Sequence, residues 1–326
     1  MQLFLIDELE PANSAAAMVA STQNAPASLG DTIQHAMDHY LNKTHLFEHV
    51  QDSTHFELPQ FLGGKWEIPQ LISSGEPLIS LPGGVPLIQG SITKFMLLEV
   101  LAAVLIFFVF TWLARKISSG ERPTGKIWNL LEAFIVFIRD EVATPAIGKH
   151  DAGRFMAYLL TAFFFILALN LLGMLPFMGS ATASIAVTTV FAVLTFAIVV
   201  GSGMKKMGVV GFLKAQAPHI DLPFAVKVVL IPMMWVIEMF GLLIKHFVLA
   251  VRLFANMFAG HLGLAVFLAF IGVAGTLPLW GSGPITLFAI LASLAFSLLE
   301  LFVAFLQAYV FAFLTALFIG SAQHAH

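Results

Sequence analysis

From about residue 95 onward the chain is a succession of apolar runs separated by short polar loops, a pattern the first 94 residues do not share. The run Phe95–Leu113 is long enough to cross about 30 Å of hydrocarbon as a helix. Residues 124–148 instead interleave Ile127, Leu130, Leu131, Phe134, Ile135 and Ile138 with Glu132, Arg139, Asp140 and Glu141. That period predicts an amphipathic helix lying in the membrane interface. Two further spans, about 156–177 and 184–202, are joined by a turn after Pro176. The last two runs are too long for an ordinary crossing. Residues 228–270 carry no turn signal between Gly241 and Ala259 and predict one helix of about 60 Å, and residues 285–320 predict one of about 54 Å, at about 1.5 Å per residue. Ordinary tilts average only about 20°, so the two must slant steeply, joined by a turn at Pro278-Leu-Trp-Gly281-Ser-Gly283-Pro284. The fold class that follows is an all-α polytopic membrane protein: transmembrane helices, one amphipathic interfacial helix and a long, steeply tilted two-helix hairpin.

The N-terminal stretch has a different periodicity. His55-Phe56-Glu57-Leu58 and Lys65-Trp66-Glu67-Ile68 alternate polar and apolar around Gly63-Gly64, which predicts a small β-hairpin outside the membrane. Pro and Gly crowd residues 76–90, as a linker would. Residues 1–94 hold ten of the 19 acidic residues, three basic residues and five histidines. The expected organisation is an acidic extramembrane tail over residues 1–94, a membrane domain over 95–320 and a short C-terminal tail over 321–326.

Composition sharpens this picture. Of 326 residues 59% are apolar and 11% charged, against about 25% charged in soluble domains. A soluble protein could not hide that much apolar surface from water, so a soluble enzyme is excluded. The net charge of −3 provides no basic field for nucleic acid. With no cysteine there is no disulfide, thiolate zinc site or iron–sulfur cluster. Asp7, Glu8 and Glu10 open the chain without a basic residue, unlike a secretory signal or a transit peptide. Segments 114–155 and 203–227 hold seven and four of the 16 basic residues, whereas 176–184, 271–285 and the C-terminal tail hold none. Basic loops stay in the cytoplasm, so the N-terminal tail is expected outside and the C-terminus inside.

Only Lys245 and Arg252 remain among the basic residues, both deep in apolar sequence. An arginine at the bilayer centre costs at least about 2.5–3.5 kcal/mol and cannot deprotonate to escape. A structural ion pair with Glu238 or Glu300 would be the plainest account of it. Glu238, Lys245, Arg252 and Asn256 are spaced seven, seven and four apart and share one helical stripe, while His261 points elsewhere. Glu300 and Gln307, seven apart, share a face of the last helix. Midway between Arg252 and Gln307, and between His261 and Glu300, lies the Pro278–Pro284 turn. An antiparallel hairpin therefore sets Arg252 level with Gln307 and His261 level with Glu300. His261 and Glu300 can relay protons, since a buried pair tunes both groups toward neutrality, or can form a static pair joining two helices. Lys245 and His246 fit either a channel lining or a helix contact.

These residues carry a resemblance. Arg-Leu-Phe-Ala-Asn-Met-Phe-Ala-Gly at 252–260, with Leu306-Gln307-Ala-Tyr-Val-Phe downstream, resembles subunit a of the F-type rotary ATP synthase, as do Asn170-Leu-Leu-Gly-Met-Leu-Pro176 and Ile231-Pro232 with Glu238. The resemblance covers roughly residues 95–320. It implies a proton-translocating stator subunit of the cell inner membrane with no active site and no cofactor. Its implied partners are the c-subunit ring, the peripheral-stalk b subunits, other synthase subunits and the bilayer. The family's essential arginine corresponds to Arg252, its asparagine to Asn256 and its glutamine to Gln307. Many bacterial members carry Glu where this chain has His261 and His where it has Glu300; here the two are exchanged, as in the mitochondrial members. Implied is a pair of offset half-channels with Arg252 facing the ring carboxylates; His261 and Glu300 would belong to the outer one, and Glu238 to the inner. The alternative class is a self-contained proton-coupled secondary transporter, but the internal repeats usual there are not found.

Other motifs fail on their own chemistry. Gly120-Glu-Arg-Pro-Thr-Gly125-Lys126-Ile127 approaches a phosphate-binding loop, yet Ile127 stands where a hydroxyl must meet magnesium and no strand precedes it. His35/His39 and His45/His49 have helix-compatible metal spacing, but exposed polar faces explain them as well.

Overall fold

The computed structural model describes residues 52–57, 65–69, 77–80, 86–89, 92–118, 125–175, 178–216, 224–274 and 279–323. The chain divides into two compact units, one of Met1–Phe47 with His261–Leu298 and the other of Glu48–Gly260 with Leu299–His326. The His35/His39 and His45/His49 pairs lie outside the described residues, as do Gly120–Thr124 of the loop resembling a phosphate-binding motif.

The predicted N-terminal hairpin is present. Strand β1 (His55–Glu57) pairs antiparallel with β2 (Lys65–Glu67), setting His55 opposite Glu67, Phe56 opposite Trp66 and Glu57 opposite Lys65. The Phe56 and Trp66 rings stack at 6.0 Å, the cross-strand aromatic pair that alternation placed on one face. The expected linker at 76–90 proves to be a second hairpin, β3 (Pro77–Ser80) with β4 (Pro86–Gln89). Each strand begins at a proline, the position in a strand where a missing N–H costs least. The residues that open the first hairpin are tied to the start of the first membrane helix, because Phe95 N–H donates to the Asp52 carboxylate at 3.3 Å and Lys94 N–H to the Ser53 carbonyl at 2.8 Å. A carboxylate at a helix N-terminus satisfies a donor the helix leaves open.

Helix α1 spans Lys94–Ser118. The predicted amphipathic segment is α2 (Lys126–Phe137), which continues through a π-helical turn at Ile138–Ala143 into α3 (Thr144–Ile147). The extra residue in the π turn leaves Arg139, Asp140 and Glu141 exposed while Ile138 and Val142 stay buried. Helix α4 (Ala152–Gly173) and α5 (Ile185–Met207) are joined through a 3-10 turn at Ala181–Ala183, and α6 (Val209–Ala215) follows. Then come α7 (Phe224–Ala274, 51 residues) and α8 (Leu279–Gln323, 45 residues). Among the described residues, five helices are long and apolar enough to cross a membrane. The expected turn at 278–284 is corrected: α8 already begins at Leu279 and contains Pro284. Pro284 lies in its second turn, close enough to the start that few backbone bonds are lost.

The larger unit is held together by aromatic packing. Phe134 of α2 meets Phe163 and Phe164 of α4 and Phe305 of α8 at 5.9, 6.2 and 5.6 Å between ring centroids. Between α4 and α5, the Tyr158 and Thr195 hydroxyls bond at 2.8 Å. At their polar ends Lys206 Nζ donates to Asp151 at 3.0 Å, and His150 Nδ1 lies 3.4 Å from the same carboxylate. The Lys206 hydrogen bond, helped by His150, holds the Asp151 carboxyl below the usual carboxylate range.

Candidate functional site

The site rests on α7 and α8. On α7, Leu242, His246, Leu249, Ala250, Leu253 and Met257 form a buried stripe. The opposite face, with Ile237, Phe240, Leu243, Ile244 and Phe247, is open and apolar. Glu238 and Lys245 sit on that open side as the stripe arithmetic predicts, 3.7 Å apart and half exposed. Arg252 follows on the same stripe, near the middle of the span Leu230–Ile271, and is half-buried with Asn256. Among the described residues Arg252 has no ion-pair or hydrogen-bond partner. The plain ion-pair account is thereby corrected. Glu238 is engaged by Lys245, one helical repeat away, and the Glu300 carboxylate has no hydrogen-bond partner among the described residues.

Helix α8 buries Glu300 (3% exposed) and Gln307 (7%) along one face with Ala304 and Ala308. Both Glu300 oxygens are buried without a hydrogen-bond partner. The carboxylate lies directly against Gly260: a Cβ there would stand 2.5 Å from Glu300 Oε1. Gly260 is thus the residue that gives Glu300 its space, and this contact sets residue 260 level with residue 300 across the hairpin. In the smaller unit Gly263 meets the Phe296 ring in the same way. His261, in that smaller unit, has a buried Nε2 with no hydrogen-bond partner among the described residues. His246 faces the bundle: its Nδ1–H donates to the Leu242 carbonyl at 2.8 Å, and its ring packs on Phe196 and Phe318. That geometry favours a helix contact over a channel lining.

One polar network was not anticipated. Asn170 Nδ2 donates to the Ala304 carbonyl at 3.1 Å, Thr182 Oγ1 donates to Asn170 Oδ1 at 2.8 Å, and the Ser180 hydroxyl lies 3.0 Å from that of Thr182. All three side chains are fully buried. The network fixes α8 at a carbonyl one turn from both Glu300 and Gln307. Its signal in the sequence was an amide inside the apolar run 156–177, where a polar group must find a partner. Glu99, half-buried in α1, gives no such signal, since it sits near the start of its run.

With this geometry in place, the comparisons with known proteins decide the family. A family model described as ATP synthase A chain matches residues 96–320, more than half of the chain. The chain belongs to the ATP synthase A chain family. A relative from Myxococcus xanthus, named ATP synthase subunit a, is 40% identical over 253 residues, covering 77% of this chain and 78% of its own. Proteins of the same name from Anaeromyxobacter sp. and Chlorobium phaeobacteroides are 36% and 38% identical, each over 86% of this chain and over 71% and 77% of their own lengths. The family match starts two residues into α1 and ends within α8, so it takes in the whole membrane bundle and leaves out both β-hairpins.

Proposed function

We propose that this chain is the proton-translocating stator subunit of a rotary F-type ATP synthase, a non-catalytic part of the complex. The observation that carries the proposal is Arg252: a guanidinium midway along an apolar span, on the open side of α7, with no partner among the described residues. Such a charge calls for an acceptor supplied from outside the chain. A ring of c subunits, each presenting a carboxylate at that depth, meets the requirement. As a ring carboxylate arrives, the fixed cation lowers its pKa and drives proton release, and between arrivals it blocks direct passage of protons between two offset half-channels. Asn256 and Gln307 flank the ring contact. Glu300 and His261 belong to the outer half-channel, and Glu238, paired with Lys245, to the inner one. The distribution of Lys and Arg supports an N-terminal tail outside and a C-terminus in the cytoplasm of a cell (inner) membrane. On this reading 1–94 is an extramembrane tail, 95–320 the membrane domain and 321–326 a cytoplasmic tail, with the b subunits of the peripheral stalk as further partners.

The test is Arg252→Ala in the assembled synthase. Assembly persists, because the side chain makes no hydrogen bond or ion pair among the described residues, and both proton-driven ATP synthesis and ATP-driven pumping are abolished. Arg252→Lys keeps the charge but loses the planar fork and also fails. Coupled synthesis at the native rate in the Ala variant would sink the assignment.

A further inference from the structure

Two polar side chains inside the larger unit have no part in the ion route. His246 (2% exposed) and Thr315 (0%) are buried in the bundle, and neither His246 Nε2 nor Thr315 Oγ1 has a hydrogen-bond partner among the described residues. The other three threonines buried among those residues, Thr182, Thr188 and Thr195, each hold one. The fold brings the two free atoms to one level. Contact between Gly260 and Glu300 fixes the pairing of α7 with α8. Fourteen residues back along α7 stands His246, and fourteen forward along α8 stands Leu314, next to Thr315. Thr315 shares its side of α8 with Phe318, one turn on, whose ring lies 5.0 Å from that of His246. Phe196 of α5 closes the other side, 5.2 Å from the imidazole between centroids. Beside it the Thr195 hydroxyl is already engaged by the Phe191 carbonyl and the Tyr158 hydroxyl.

The chemistry of the two atoms selects what joins them. A carbonyl only accepts, so the Leu242 contact puts the imidazole hydrogen on Nδ1 and leaves a lone pair on Nε2. Thr315 offers one O–H donor and two lone pairs. A water molecule donates to the first and accepts from the second. A hard cation takes about six oxygen ligands or more, which this pair does not supply, and an anion would face the Nε2 lone pair. Burial between α5, α7 and α8 keeps lipid and partner chains away from both atoms. We propose that one water molecule is bound between His246 Nε2 and Thr315 Oγ1, and that this bridge fixes the rotation of α7 against α8. Internal waters of this kind serve otherwise unsatisfied polar groups and are costly to remove. Apolar contacts in hydrocarbon give little preference for one helix rotation over another, because lipid tails are as apolar as Leu, whereas a hydrogen bond holds one side chain in one direction. Arg252 lies about 9 Å further along α7 at about 1.5 Å per residue, so the bridge also sets which way its guanidinium faces. That consequence rests on the function proposed above; the bound water does not.

The test images the complete synthase in lipid nanodiscs by electron cryo-microscopy, in a map sharp enough to show ordered water. A peak about 2.8 Å from both atoms is expected. Thr315→Ser keeps the peak, and Thr315→Val, which has the same shape without the hydroxyl, loses it. A direct hydrogen bond between His246 and Thr315, or a map with nothing between them, would overturn the site. The bridge also predicts non-additivity in the Tm of the purified complex. His246→Phe and Thr315→Val each lower it, and the double variant falls no further than the worse single one; losses that add would mean two separate packing defects and no bridge. ATP-driven pumping falls in Thr315→Val and returns in Thr315→Ser. Full pumping in a Thr315→Val complex that has lost the peak would refute the positioning role. An Arg252→Ala synthase that still pumps would instead sink the proposed function and leave the water in place.

Discussion

Glu300 and Gly260 tie the proposed chemistry to a single missing side chain. Because a Cβ at 260 would stand 2.5 Å from Glu300 Oε1, Gly260→Ala must displace the carboxylate or the helix, an overpacking of the kind that costs about 1–3 kcal/mol. Proton pumping by the Gly260→Ala synthase should fall severalfold, and combining it with Glu300→Asp, shorter by one methylene, should recover part of the loss. Absence of any recovery would place the defect in the backbone. His261 and Glu300 are the other residue-level case. If both serve the outer half-channel, the double exchange His261→Glu with Glu300→His should restore more flux than either single exchange, measured as ATP-driven acidification of vesicles. The sequence made both groups legible as buried titratable residues near one turn. It did not make legible that Gly260 shapes the space, since a glycine in an apolar run has many uses.

At the scale of elements, two ties between helices stand out. The Asn170–Thr182–Ser180 network holds α8 by the Ala304 carbonyl. Asn170→Leu keeps the volume but leaves the Thr182 hydroxyl without its acceptor and the α8 carbonyl without its extra donor. The expected loss is about 1–3 kcal/mol, seen as a lower Tm of the purified complex; an unchanged Tm would show that α8 is held by packing alone. The second tie joins the polar ends of α4 and α5 through Lys206 and Asp151. The Asp151 pKa is depressed by Lys206 and then by His150, so its contribution is present above the ordinary carboxylate value of about 3.9 and is lost as pH falls through the lower, folded value. The Tm difference between the native chain and Asp151→Asn should therefore be visible at neutral pH and close below the carboxylate range. The β3–β4 hairpin belongs here too. Its residues carry the turn signals of a hairpin and of a linker equally, and only pairing distinguishes them.

For the whole molecule, the proposal is one of direction across a membrane. The charge asymmetry of the loops predicts that the turn between α7 and α8 lies outside and that Glu300 is nearer the outer face than Arg252. In this cysteine-free chain, Glu300→Cys should be labelled by a charged maleimide from outside before inside, compared in oppositely oriented vesicles. Labelling from the cytoplasmic side alone would reverse the half-channel assignment and leave the family intact.

The helices themselves were determined by the sequence, because in hydrocarbon each backbone polar group must be satisfied within its own segment. Length, apolarity and the positions of Lys and Arg therefore set the number of spans, the two overlong helices and the amphipathic one, with boundaries missed by a few residues where apolar runs fade into polar loops. That α8 returns against α7 near residues 260 and 300 was also legible, since two pairs of polar residues were centred on one turn signal. What each polar side chain meets was decided only by the tertiary structure. Helical spacing gives an azimuth and a height, but a partner depends on which neighbouring helix covers that azimuth. That is why Glu238 is found with Lys245, Glu300 against Gly260, His246 against Phe196 and Phe318, and Arg252, the most conspicuous charge in the sequence, with no partner among the described residues.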